Sequence, residues 1–447
     1  MKKILKSLFP FLPLFIVILF LILEPYYIFP AGGDTNFHLL RAREILENPL
    51  LSLLWDYLVY YPMGRPLWHP PLFHLIYASL WSLGGVRFAH SAMCILQITL
   101  TTFTASWVAN KLYGNLAGFF AGFFALAPPL SAPLIIAIPA SYLPIMAVLT
   151  IYFIPKNTKA AILVSIVAIW THMVSLFAIL PLFIIDGYKN KSSKKAILFL
   201  LPFLIFWGSY WFYFKNSLVT GGMLYTLKNL YISTYLTVYG LYNLVIVFSL
   251  GLIGLYLIHK IDNRRYRLIT GYVIIIILFS FLGFGGDFLR GFQFAALPMA
   301  IMASLTVKKG YDFLNQINRR YLGTVFILVM VFISLIGFLI FFSQWSTEEV
   351  SWNDLNIPFE KDSNNLKSYI EHNTNKDEVL WAESELAEKV AWMTGRKVSN
   401  GRYLGDVYGA IRGFKDKYQR INIYQNNETF LINNIRNQTI FIISKNK

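Results

Sequence analysis

Apolar runs of about twenty residues, the length that crosses a ~30 Å hydrocarbon core, recur from the start of the chain to Phe342 and then stop. They fall at 4–23, 86–112, 116–130, 134–154, 160–170, 173–185, 196–214, 241–258, 268–282, 292–307 and 322–342. This pattern predicts a polytopic α-helical membrane protein of about eleven spans. The shorter apolar stretch 71–83 reads as an interfacial segment closing a first polar loop, 24–85. After the first run comes Glu24-Pro25-Tyr26-Tyr27 rather than a small-residue cleavage site, which predicts a retained first span. Beyond 342 the character changes: Asn, Lys, Glu and Asp dominate, with strand-like pieces at 378–381 and 439–444. A helix-like piece, 384–394, ends at Gly395, a good C-cap residue. The expected organisation is a membrane domain, 1–342, followed by a small soluble α/β domain, 343–447.

Composition agrees with that reading. Only 14% of residues are charged and 56% are hydrophobic, whereas soluble domains carry roughly 25% charged residues. The net charge of +16 does not cluster on a soluble module, so it does not point to nucleic acid. It sits between apolar runs. Lys2, Lys3 and Lys6, Lys111, Lys156 and Lys159, and the basic runs in 189–195, 260–267 and 308–320 all fall on one side when the spans alternate. The other side receives only Arg41, Arg43, Arg65, Lys215, Lys228 and Arg290, with Arg87 at a span edge. This asymmetry predicts a cytoplasmic N-terminus and an extracytoplasmic C-terminal domain. The single cysteine, Cys94, allows no disulfide within one chain.

Candidate chemistry lies in the first loop. On a helix beginning near Thr35, Asp34, His38 and Arg41 share one face at i, i+4 and i+7. A carboxylate, an imidazole and a guanidinium together can accept a proton and hold a phosphate. Asp34 after two glycines also suits a helix N-cap. Further along, Asp56, Arg65, His69 and His74 stand in a segment rich in aromatics, proline and glycine. Interfacial placement accounts for the rings but not for the two histidines and the arginine. His172, at the turn between 160–170 and 173–185, is an ionisable group at membrane depth. Asp287 and Arg290 precede the span at 292–307 among glycines that permit close backbone approach.

These residues resemble the first luminal loop of the GT-C membrane glycosyltransferases, and most of all the catalytic subunit of archaeal oligosaccharyltransferase. The matches are Gly32, Asp34, His38 and Arg41, then Tyr60, Tyr61, Pro62, Gly64, Pro70, Pro71 and Leu72. The resemblance implies that Asp34 is a metal ligand or the base that activates the acceptor, with Mg²⁺ or Mn²⁺ as the metal. It implies that Arg290, with Arg41 or His38, contacts a lipid phosphate. It also departs from the family in three places. Segment 127–133 carries no acid where a second acidic motif is expected, and 215–239 contains no Asp or Glu. The sequon-gripping Trp-Trp-Asp-Tyr-Gly motif is replaced around Trp381-Ala382-Glu383-Ser384, although Met393-Thr394-Gly395-Arg396 keeps a family-like flank. The expected activity is sugar transfer from a polyprenyl (dolichyl) phosphate-linked donor to a lipid-linked glycan or protein acceptor at the outer face. A non-catalytic partner of an oligosaccharyltransferase and a lipid-linked glycan flippase remain alternatives.

Overall fold

A computed structural model describes residues 6–23, 35–61, 64–67, 69–126, 138–213, 242–281, 288–317, 319–346, 367–368, 370–376, 379–382, 384–398, 432–435 and 438–443. It is mostly helical. A short 3₁₀ turn, Phe9–Phe11, leads into α1 (Leu12–Leu23). Then come α2 (Thr35–Glu47) and α3 (Pro49–Ser52), followed by β1 (Trp55–Asp56) and β2 (Arg65–Pro66). The bundle helices are α4 (Leu72–Tyr113), α5 (Asn115–Phe124), α6 (Leu143–Phe153), α7 (Thr158–Thr171) and α8 (Val174–Gly187). They continue with α9 (Lys191–Tyr213), α10 (Ser249–Ile261), α11 (Asn263–Phe281), α12 (Phe288–Gln316) and α13 (Arg320–Ser346). A π-helical stretch, Tyr242–Phe248, leads into α10. The last part holds β3 (Val379–Ala382), α14 (Ser384–Thr394), β4 (Lys397–Val398), β5 (Ile432–Ile435) and β6 (Gln438–Ile443).

Every apolar run expected to span overlaps one of these helices. The interfacial stretch 71–83 and the run 86–112 form two successive helical segments within α4, as the sequence separates them. They are divided only by Gly85, which takes φ +82° where the helix kinks. Four described helical stretches are long and apolar enough to cross a membrane: Lys6–Leu23, Leu72–Tyr113, Gly291–Gln316 and Arg320–Leu339. Five further apolar helical stretches are shorter, among them Thr158–Thr171 and Val174–Gly187.

The chain divides into two compact units. The first comprises 1–30, 93–205 and 220–349. Its centre is α12, which packs against α5, α10, α11 and α13. Small side chains make this possible: Ala295, Ala300, Ala303 and Ser304 are all fully buried. Gly254 of α10 lies so close to α12 that a Cβ there would stand 2.0 Å from the Met302 carbonyl oxygen, so only glycine fits this crossing. At one end of the unit, Asp186 is buried and receives both guanidinium arms of Arg264 at 2.7 and 2.8 Å. Ser193 and Asn190 donate to the same carboxylate. This clasp joins the ends of α8, α9 and α11, all in segments that the charge pattern assigns to one side.

The second unit comprises 31–92, 206–219 and 350–447. It groups the C-terminal segment with the first polar loop, so the division follows contacts rather than chain order. Its sheet runs β4-β3-β6-β5, with β3 parallel to β4 and β6, and β5 antiparallel to β6. Helix α14 leaves β3 and closes at Gly395, which sits at φ +70° and donates to Ala391 at 2.9 Å. That is the left-handed C-cap geometry glycine favours.

Candidate active site

Within the second unit, α14 packs along α2. Trp392 Nε1 donates to Asn36 Oδ1 at 2.9 Å, in the first turn of α2. One helical face further on, Arg43 donates to the carbonyls of Trp392 and Met393 at 2.9 and 3.2 Å. The edge of the sheet meets the loop as well: Val398 N–H donates to the Leu58 carbonyl at 2.7 Å, and Tyr61 N–H to the Val398 carbonyl at 3.0 Å. The loop turns at Tyr60, a non-glycine residue with φ +56°, and again at Gly64, φ +67°. A buried non-glycine residue in the left-handed region marks a backbone held by its surroundings.

An ion-pair network fills the space under that turn. Arg41 pairs with Glu44 and Asp56, and its other nitrogen donates to the Ser52 carbonyl. Arg65 pairs with the second oxygen of Asp56 at 2.5 Å and with Glu388 of α14 at 3.3 Å. Its guanidinium also lies over the Phe37 ring, 4.9 Å from the centroid. All five side chains are at most 4% exposed. Two guanidinium groups thus face three carboxyl groups away from water. Burial, and then the neighbouring Asp56 carboxylate, push Glu44 up to about 8 against the pull of Arg41 and the Leu58 amide. A proton on Glu44 balances the cluster. Burial works against the Arg65 charge, but Asp56 and Glu388 outweigh it and hold its pKa above the ordinary value. Burial raises the Tyr60 hydroxyl.

Beside the network lies a set of imidazoles. His38 Nδ1 and His74 Nε2 are 2.9 Å apart, both buried, so one ring donates to the other. The His69 ring centroid is 5.9 Å from that of His38. Phe37 and Phe73 pack edge-on against the pair. A hydrogen-bonded imidazole pair can take up or give up a proton at one ring while holding it through the other.

The structure therefore brings Arg41, Asp56 and Arg65 into one cluster, and His38 and His69 into its neighbour. The expectation that Arg41 reaches a donor phosphate meets a guanidinium already committed to two carboxylates. His172, in the first unit, is buried, and its Nδ1 accepts the Val174 N–H at 3.3 Å, capping α8. Arg290 lies in the first turn of α12. Asp34, Asp287 and the Arg290 side chain lie outside the described residues, as does the replaced motif position Glu383. Glu44 and Glu388 are members that sequence reasoning did not single out, whereas His74 stood out with His69 in an otherwise aromatic stretch. Glu44 had a signal, since Arg41 and Glu44 stand at i, i+3. Among the described residues no group of three or more His, Cys, Asp or Glu is arranged to hold a metal ion. The acids present are turned toward arginines, so that donor set does not fit a divalent ion.

Solved structures share this fold over most of the chain. The archaeal oligosaccharyltransferase AglB from Archaeoglobus fulgidus superposes with a TM-score of 0.57 over 85% of this chain, at 13% identity. ArnT from Cupriavidus metallidurans gives 0.57 over 89% of this chain at 14% identity. The fold is GT-C-like. The GT-C-like chain spans 62% of the AglB chain and 88% of the ArnT chain. One AglB structure contains an inhibitory peptide and a dolichol-phosphate, and one ArnT structure contains undecaprenyl phosphate. No protein-family model and no curated protein sequence matches the chain.

Proposed function

We propose that this chain is a multi-pass membrane glycosyltransferase. It moves a sugar from a polyprenyl (dolichyl) phosphate-linked donor to a hydroxyl-bearing acceptor, a lipid-linked glycan or a protein, at the extracytoplasmic face. The observation that carries the reading is the GT-C-like fold over most of the chain, combined with a first helix after the Gly-Gly-Asp segment that starts at Thr35. In this reading Asp34 takes the proton of the acceptor hydroxyl. The acceptor oxygen bonds to the anomeric carbon, and the bond from that carbon to the lipid phosphate oxygen breaks. Negative charge collects on the departing phosphate, where Arg290 and the His38 side stabilise it. Arg41, Asp56 and Arg65 hold the loop in shape. The replaced sequon motif near Trp381 supports an acceptor other than sequon asparagine. No step is routed through a metal.

The test is Asp34→Asn in a purified transfer assay with a lipid-phosphate sugar. Asparagine still caps a helix, so the variant should insert and bind donor while transfer falls by about 10²–10⁴. Near-full activity would reduce Asp34 to a cap and sink the reading. Arg290→Lys is the companion probe. It keeps charge but loses the fork that fits phosphate, and transfer should fall with it.

A further inference from the structure

At one end of the first unit the N-terminal segment, α5, α12 and α13 border an open groove of about 580 Å³. Stacking fixes one wall, because Phe9 lies flat on Phe119 of α5, with ring centroids 4.9 Å apart. The opposite wall is α13, which approaches α12 closely where Gly323 meets Asn315 and Tyr311. Leu116, Ile327 and Leu328 make the interior apolar. The lining also carries polar groups, among them Lys6 and Tyr311, and Asn115 fixes the Lys6 backbone by donating to its carbonyl at 2.8 Å.

We infer that this groove seats one anionic membrane phospholipid, its phosphate on the Lys6 ammonium and the Tyr311 hydroxyl and an acyl chain along α13. Charge favours an anion. Lys6 lines the groove and has no ion pair among the described residues. The nearby acid of α12, Asp312, is paired with Lys308. Shape favours a lipid over a sugar or a peptide. The groove opens onto a stripe of exposed apolar residues on α13: Leu328, Phe332, Leu335 and Leu339, at i, i+4, i+7 and i+11. A chain laid along it covers surface that has no protein partner among the described residues. Basic pockets between membrane helices recognise phospholipid headgroups in this way. This site is independent of the transferase reading.

Purified full-length protein in neutral detergent is titrated with phosphatidylglycerol, and separately with phosphatidylcholine, and bound lipids are counted by native mass spectrometry. One phosphatidylglycerol should be retained more tightly than any phosphatidylcholine. Lys6→Gln should weaken it about fivefold, and Leu328→Trp, which fills the groove, should weaken it as well. Arg319→Gln, an equal loss of charge outside the lining, should leave it within about twofold. Equal binding of both lipids, no loss in Lys6→Gln, an equal loss in Arg319→Gln, or tighter competition by undecaprenyl phosphate would each overturn the proposal.

Discussion

Glu44 accepts the Leu58 amide at 2.7 Å and pairs with Arg41 one turn earlier on α2, both side chains buried. Its carboxyl is pushed from an ordinary 4.5 up to about 8. The folded state therefore binds a proton that the unfolded chain releases between those values. A raised carboxyl pKa makes stability fall as pH rises through that window. Thermal unfolding in detergent should show a lower midpoint at about pH 9 than at about pH 6, and Glu44→Gln should flatten the difference. An unchanged slope in the variant would remove Glu44 as its source. Arg65 offers a second residue-scale test. Arg65→Met leaves Asp56 and Glu388 buried without their shared cation and should cost about 3–5 kcal/mol. Lys367 and Glu371 pair at 3.8 Å with both side chains nearly half exposed, so Lys367→Met should cost about 1 kcal/mol or less. Comparable losses in the two variants would mean that the inner network is not the stronger one.

At the scale of elements, α2 is amphipathic only in a loose sense. Nearly all its residues are buried, including Asn36, His38, Arg41 and Glu44. Such a helix is held by partners rather than by propensity. Its partner is α14, through the Trp392–Asn36 hydrogen bond and the bonds from Arg43 to the Trp392 and Met393 carbonyls. Trp392→Phe keeps the ring volume near that of a core aromatic but strands the Asn36 side chain, which should cost about 1–3 kcal/mol. The loss should be local, so amide hydrogen exchange in 35–47 and 384–394 should quicken while α12 stays protected. Unaltered exchange in 35–47 would show that α14 does not hold the loop helix.

For the whole molecule, the open matter is which way the chain faces. The lysine and arginine asymmetry predicts 189–195 inside and the C-terminal segment outside. Cys94 is buried, so it gives little background to thiol labelling. In intact cells, a membrane-impermeant reagent should label Asn427→Cys and spare Lys191→Cys, which is exposed on the described surface. Labelling at 191 with protection at 427 would reverse the orientation, and with it the face on which the proposed transfer occurs.

Hydrophobic runs are local, and they were enough to locate the helices: each expected span, from 4–23 to 322–342, overlaps a helix. The helix 384–394 and its glycine cap were legible for the same reason, since caps and periodicity are written within a few residues. The break between 71–83 and 86–112 was legible as well, because Gly85 reads as a breaker and takes a non-helical φ of +82°. The fate of Arg41 was not. Its i+7 spacing from Asp34 put the two on one helical face, but whether a charge meets solvent or a carboxylate depends on what packs above it. Here that is Asp56, fifteen residues on, and, through Arg65, Glu388, more than three hundred residues on. Burial of the loop under α14 is a long-range contact with no periodic trace. The sequence by itself determined the helices and their alternating loop charge; only the tertiary structure decided which charges of the first loop were spent holding it together.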